Sequence, residues 1–559
     1  MTELTLRPWQ AQALQKAETW LIGGGNRHFL INAAPGAGKT ICASVIAKQM
    51  FQCGEIDRVI VIAPRAEVVK QWGKDFEFVT GRHMTKVTAA DGDVTDYGND
   101  LCATWQAIEG LSEPFQYVCN NFRTLVICDE HHHAAVEAAW GEQAGSAFEN
   151  AKYTLILTGT PIRSDGKDTV WLAYDDEGNI IDLPEGATYT LTYGEAVDRA
   201  YCRPITFHRH EGNFTVTLPD GEGISVSSKV GAEGTQKYSD IPGLARALDF
   251  FKLACAPQYR PDGITPDPDS FLGSMLGWGI DKLEDLRETV PIVGGLVIAP
   301  TIPIAEYLAD LIEVMTGEKP LIVHHQSPNP EGRIDAFRKN TDKKWLVSVA
   351  MVSEGVDIPR LRVLIYLPGA KTELAFRQCM GRVVRTLGPE DYSRAYVVMP
   401  ALEILEEYAR RVEREMSPQA RREEEVTFKV CPVCESQNER SAADCSECGH
   451  EFPKRKANYK SCPECEGVNP KSRAVCQHCG YKFNTDFEVS LRDALRIGAI
   501  VRGMDIDEAD VQESEEMAGD FREFVLKSGD ENLLRLMRDL PPEALTKITQ
   551  FAEARKRSK

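Results

Sequence analysis

The chain has 559 residues, 43% hydrophobic and 26% charged, with a formal net charge of −20. This is the composition of an ordinary soluble globular protein with room for roughly three or four domains. No run approaches the roughly 18 apolar residues of a bilayer span. The acidic balance argues against a surface that attracts polyanions everywhere, so any nucleic acid must be gripped in a local groove. The first ten residues lack a basic-then-apolar leader pattern. A cytoplasmic protein with no membrane partner is the expectation.

Near the N-terminus, Leu6-Arg7-Pro8-Trp9-Gln10 opens an amphipathic helical pattern that stops at Gly23-Gly24-Gly25. Arg7 and Gln10 are candidates for reading an adenine edge, although Pro8 also reads as an ordinary helix start. An apolar run, Phe29 to Ile31, then leads through Ala33-Ala34-Pro35-Gly36-Ala37-Gly38-Lys39-Thr40 into a helix-forming stretch, Ile41 to Met50. Strand, loop and helix come in the order a phosphate-binding loop requires. Gly36 and Gly38 let the backbone between Pro35 and Ala37 curl so that its N–H groups face phosphates. Lys39 then reaches the β and γ phosphates of ATP, and the Thr40 hydroxyl holds Mg²⁺. The strict motif has Gly where this chain has Ala33.

From 26 to 164, β-like runs (Arg58 to Ile62, Leu101 to Thr104, Thr124 to Cys128, Thr154 to Leu157) alternate with helical stretches. The alternation predicts a parallel sheet with helices on both faces and ligands at the carboxyl ends of its strands. At one such end stand Asp129 and Glu130, followed by His131-His132-His133. Adjacent carboxylates there suit a Mg²⁺-assisted hydrolysis, Asp129 acting through the ion and Glu130 polarising water. A zinc reading of the histidines is set aside, because neighbours in sequence do not converge as ligands.

The next strand ends in Thr158-Gly159-Thr160-Pro161. With the segments below, these motifs resemble superfamily 2 helicases of the DEAD/DEAH kind, the type I and type III restriction motor subunits among them. The resemblance implies an adenine-reading role for Arg7 and Gln10, and a nucleotide role for Asp129 through His132. It also implies that His132, Thr158, Gly159 and Thr160 couple hydrolysis to nucleic-acid grip. Ala63-Pro64-Arg65 and Thr104-Trp105-Gln106 match its backbone-contacting motifs, with Arg65 where the family often has Thr.

Residues 166–290 suggest strands at Tyr189 to Leu191, Ile205 to Phe207 and Phe214 to Leu218, and helices at Leu244 to Ala254 and Ile280 to Glu288. An inserted α+β connector is expected there. A second α/β lobe, 291–415, has β-like runs at Leu296 to Ala299, Leu321 to Val323, Trp345 to Val349, Val363 to Leu367 and Tyr396 to Met399. It carries Ser353-Glu354-Gly355-Val356-Asp357 and a helix with Gln378, Gly381, Arg382 and Arg385. Three residues apart, Arg382 and Arg385 would share a helix face and present two guanidinium forks to one target. By resemblance these are motifs V and VI. They bring Gly355 and Asp357 to the nucleotide and make Gln378, Arg382 and Arg385 catalytic, the arginines stabilising transition-state charge beside Lys39, Asp129 and Glu130. Val349 and Ala350 stand where many relatives carry polar residues.

Of 16 cysteines, eight are scattered before residue 380. The other eight form four C-x-x-C pairs: Cys431, Cys434, Cys445 and Cys448, then 31 residues later Cys462, Cys465, Cys476 and Cys479. Each repeat is expected to close a four-sulfur zinc site, giving two Zn²⁺. Pairing across the repeats is the alternative. The basic and aromatic link 452–460 suits a nucleic-acid backbone or a solvated linker. After a linker, 416–430, and the ribbons, 431–483, a helical tail is expected over 484–559, including Leu491 to Arg502, with a possible protein partner at the ribbons or tail.

The whole predicts two RecA-like lobes, 1–165 and 291–415, that step along a nucleic acid as ATP is hydrolysed between them, with DNA favoured over RNA by resemblance. The alternative is an ATP-dependent switch or motor subunit that separates no strands. No paired-acid and lysine nuclease cluster is visible.

Overall fold

The computed structural model describes residues 5–92, 94, 97, 100–131, 139–159, 171–174, 180–181, 186–217, 223–228, 235–237, 247–349, 357–388, 391, 393–422, 428–431, 433–434, 436–439, 442–452, 459–462, 464–470, 476–480, 486–490, 494 and 499–501. Two parallel sheets dominate. The first has seven strands in the order Met84–Lys86, Asp100–Thr104, Arg58–Ala63, Thr124–Cys128, Tyr153–Thr158, His28–Ala33 and Thr188–Leu191. Its central strands are predominantly apolar because both faces are covered. Along Arg58–Ala63 the side chains alternate: Val59, Val61 and Ala63 join one core cluster, Ile60 and Ile62 the other. Trp72 and Phe76, on the helix Ala66–Thr80, belong to the first cluster. Ile108, Leu111 and Phe115, on the helix Ile108–Asn121, belong to the second.

The second sheet has six strands: Ile205–His210, Ala395–Pro400, Leu361–Tyr366, Gly294–Ile298, Trp345–Ser348 and Leu321–Val323. All of its pairings are parallel. The helix Phe271–Thr289 packs on it, burying Phe271, Met275, Leu276 and Leu283. Among the described residues no helix is long and apolar enough to cross a membrane.

The structure revises two expected boundaries. Residues 166–290 are not wholly an inserted connector, since Thr188–Leu191 is the edge strand beside His28–Ala33, and Ile205–His210 is an edge of the second sheet. What stands apart is a hairpin, Asn213–Thr217 with Gly223–Ser227, and short strands at Thr235–Lys237 and Ala247–Asp249. The expected helix Leu244 to Ala254 begins only at Phe250, where the Asp249 carboxylate accepts from the Lys252 N–H and caps it.

The second revision concerns the tail, which is not helical from 484. Asp486–Ser490 pairs in parallel with Asn213–Thr217, and Ile500–Val501 pairs with Ala247–Asp249, so the expected helix Leu491 to Arg502 does not reach its end. The alternation in Asp486-Phe487-Glu488-Val489-Ser490 accounts for this. Phe487 turns inward against Phe214 and Phe271, with ring centroids 5.6 Å from each. The helices expected beyond residue 502 lie outside the described residues.

Candidate nucleotide site and four-cysteine centres

The phosphate loop connects His28–Ala33 to the helix Lys39–Gln52. Gly36 and Gly38 have φ of 80° and 97°, a left-handed backbone that glycine adopts without penalty. Gly38 is the N-cap, so the helix's first N–H groups and its positive dipole end open onto the loop, as an anion requires. Lys39 Nζ donates to the Ala33 carbonyl at 3.0 Å. A Cβ on Gly159 would lie 2.6 Å from that nitrogen, so only glycine there leaves the lysine its place. Thr40 is half-buried in the first turn.

The N-terminal helix Pro8–Leu21 braces this loop. Arg7 Nη1 and Trp9 Nε1 donate to the Ala37 carbonyl at 2.9 and 3.1 Å, and Gln10 Nε2 donates to the Gly38 carbonyl at 3.0 Å. Arg7 and Gln10, read from sequence as facing adenine, thus place donors on the loop itself. Trp9 was missed. Its signal is physical: a buried indole N–H needs an acceptor.

Asp129 follows the strand Thr124–Cys128 and is buried. Trp72 Nε1 donates to its Oδ2 at 2.8 Å, the Glu130 N–H to its Oδ1 at 3.1 Å, and Trp105 Nε1 to its carbonyl at 3.0 Å. Burial, then the neighbouring Glu130, push the Asp129 carboxyl above the usual carboxylate range, and the Trp72 hydrogen bond opposes them. Glu130 has φ of 48°, an unfavourable backbone for a side chain of its kind, and such strain concentrates at working sites. Trp105, expected on a strand-contacting motif, is instead buried beneath Asp129. Thr158 is buried at the end of Tyr153–Thr158, opposite Asn32 on the strand that enters the loop. His132, Thr160 and Gly355 lie outside the described residues.

The second lobe closes over the loop. A Cβ on Gly36 would lie 2.9 Å from Arg385 Cγ, and one on Gly381 would lie 2.8 Å from Pro35 Cβ. Gln378 and Arg382 sit on the helix Glu373–Val383, Arg382 only 8% exposed. The expectation that Arg382 and Arg385 share a helix face is corrected: the helix ends at Val383, and Arg385 pairs instead with Cys202 in an isolated antiparallel bridge. That turn carries the Arg385 side chain to Gly36. Arg385 Nη1 also meets Asp357 Oδ1 at 2.6 Å.

In each cysteine repeat the four Sγ atoms lie within 4.8 Å of one another. Cys431 to Cys448 is 3.5 Å and Cys434 to Cys445 is 3.6 Å; Cys462 to Cys479 and Cys465 to Cys476 are each 3.6 Å. A tetrahedron with metal–sulfur bonds of about 2.3 Å has edges near these lengths, so both sites fit a four-thiolate metal ion. Pairing is within each repeat, not across them. Sequence reading also missed Asn438 and Asn469, which occupy equivalent places 31 residues apart. Their Oδ1 atoms accept from the Ser446 and Gln477 N–H groups at 2.8 Å. Their Nδ2 atoms donate to Cys445 and Cys476 Sγ at 3.5 and 3.3 Å. The repeat itself was the available signal.

Two parallel lobes thus meet on a phosphate loop, and comparison with known proteins finds a match in each lobe. Residues 3–163 match the family described as type III restriction enzyme, res subunit, and residues 282–386 match the helicase conserved C-terminal domain. Both matches bear out the resemblance of the chain to superfamily 2 helicases. It is similar to an uncharacterised protein of Mycobacterium leprae, ML1624, at 31% identity over 406 residues, 70% of this chain and 61% of that one. It is also similar to an uncharacterised protein of Mycobacterium tuberculosis, Rv2917, at 30% identity over 404 residues, again 70% and 61%. The chain therefore spans 61% of the length of these curated relatives. Among solved structures, an ATP-dependent type ISP restriction-modification enzyme, LlaBIII, bound to DNA aligns with TM-score 0.46 and 18% identity, covering 71% of this chain and 28% of that one.

Proposed function

We propose that the protein is an ATP-hydrolysing translocase or helicase acting on nucleic acid, with DNA favoured because the N-terminal lobe matches a restriction subunit family. The observation that carries this reading is the approach of Arg385 and Gly381 from the second lobe onto Gly36 and Pro35 of the phosphate loop. Such a site is complete only when the lobes close, so a nucleotide there ties closure to hydrolysis. Thr40 and Asp129 would hold Mg²⁺, which neutralises phosphate charge. Lys39 would hold the β and γ phosphates, and Glu130 would orient the attacking water. Arg382 and Arg385 would stabilise charge on the transferred group. Each cysteine quartet would hold one structural Zn²⁺.

The test is ATPase rate with and without single-stranded DNA, duplex DNA and RNA, at two salt concentrations, with Lys39→Ala as control. Stimulation by one polymer, lost in that variant and weakened by salt, is the expected result. Absence of stimulation by any polymer, in folded and zinc-loaded protein, would favour the partner-dependent switch instead.

A further inference from the structure

Residues 202 and 203, in the link between the lobes, contact both the phosphate loop and the turn of the second lobe that carries Arg385. Cys202 bridges Arg385, and its Sγ donates to the Pro35 carbonyl at 3.2 Å. The Arg203 side chain is wholly buried. Its backbone N–H donates to the Val384 carbonyl at 2.7 Å, Nη1 to the Val383 carbonyl at 3.1 Å, and Nη2 to the Pro359 carbonyl at 3.0 Å. Its Nε donates to Asp391 Oδ2 and Ser393 Oγ, both at 3.1 Å. Asp391 Oδ2 also accepts from Arg362 Nη2 at 3.0 Å and from the Leu387 N–H at 2.8 Å. One guanidinium thus ties the main chain between Arg382 and Arg385, and the turn that follows Asp357, to a single carboxylate. Several carbonyls held at fixed angles by a planar fork is a task the point charge of a lysine does not reproduce.

We infer that Arg203, with Asp391 as counter-ion, is a positioning residue for nucleotide hydrolysis that sets Arg382 and Arg385 in register with the phosphate loop. The inference rests on the reading of the cleft as an ATPase site. Arg203 acts through the main chain of residues 383–385, and Cys202 beside it fixes the same turn to Pro35. When Arg203 is changed, Asp391 keeps its ion pair with Arg362, so the pocket does not strand a buried carboxylate.

The experiment compares full-length, zinc-loaded wild type with Arg203→Lys, Asp391→Asn, Arg385→Ala and the Arg203→Lys/Arg385→Ala pair. Steady-state ATPase rates and binding of a fluorescent ATP analogue are measured for each. The expected result is kcat reduced about tenfold or more in Arg203→Lys, with analogue affinity within about threefold of wild type because the phosphate loop is unchanged. The double variant should be no slower than Arg385→Ala alone, since both act on one element. A kcat close to wild type, or losses that multiply in the double variant, would overturn the inference. Should Arg203→Lys fail to fold by thermal unfolding, Asp391→Asn, which preserves shape, carries the same expectations. Lys39→Ala separates the two levels. Full activity in that variant overturns the ATPase reading, whereas its inactivity beside a normal Arg203→Lys overturns only the positioning role.

Discussion

The indole N–H of Trp72 donates to Oδ2 of Asp129 at 2.8 Å, in a place where both side chains are buried. This hydrogen bond, with the Lys39 charge and the Glu130 N–H, offsets part of the burial and Glu130 repulsion acting on that carboxylate. Trp72→Phe keeps an aromatic side chain but removes the donor and part of the indole's volume. The expected outcome is a loss of about 1–3 kcal/mol in stability and an ATPase that needs several-fold more Mg²⁺ to reach half its maximal rate. An unchanged Mg²⁺ midpoint would show that Trp72 only fills space.

Gly381 faces Pro35 so closely that a methyl group has no room: its Cβ would sit 2.8 and 3.0 Å from two ring carbons of the proline. Gly381→Ala should therefore hold the lobes apart while leaving the phosphate loop intact. ATPase kcat is expected to fall about tenfold with little change in binding of a fluorescent ATP analogue. A variant with normal turnover would mean that hydrolysis does not require the contact.

Asn438 and Asn469 each buttress a thiolate and the turn that carries it. Groups of this kind commonly cost about 10–100-fold in metal affinity when removed. Asn469→Ala should lose one equivalent of zinc to a chelator well before the other, and Asn438→Ala should do the same for the first quartet. Simultaneous release of both equivalents would count against independent sites.

His208 stacks on Trp278 with centroids 4.2 Å apart and planes 12° apart, and burial lowers its pKa from 6.5 to about 4. His28 is lowered to about 4 as well, by burial and then by Arg27. Between these pKa values the unfolded chain binds protons that the folded chain does not. Stability from these sites is therefore complete above about pH 6.5, declines as pH falls towards 4, and levels below that. His208 should lower the urea midpoint at pH 5 relative to pH 7.5, and His208→Gln should remove that contribution, leaving a smaller loss of stability on acidification. A variant with an undiminished pH slope would assign the effect elsewhere.

Much of the fold was legible because both sheets are buried on two faces, which writes each strand as a continuous apolar run such as Arg58–Ala63 or Ala395–Pro400. The phosphate loop and the cysteine quartets were legible because their chemistry demands fixed spacing. Asp486–Ser490 was not, since five alternating residues gain their meaning only from a partner strand far away in the chain. Nor was the turn at Val383: local helical pattern continues to Arg385, and the bridge to Cys202 that ends it is a tertiary contact. The segment from Tyr193 to Pro204 resembles a connector between the lobes, but the role of Arg203 within it gave no signal, for an arginine before a proline looks like any loop cation until its buried carbonyl partners are seen.

The two cysteine centres leave and rejoin the same body. Phe428–Val430 packs on the helix Phe271–Thr289 where they begin, and Asp486–Ser490 is hydrogen-bonded along Asn213–Thr217 where they end. A tug on this appendage along the chain loads the returning strand in shear, so that its row of hydrogen bonds resists together instead of unzipping one by one. The appendage is thus anchored at both of its ends, which lets a pull on it be shared between a helix contact and a strand pairing.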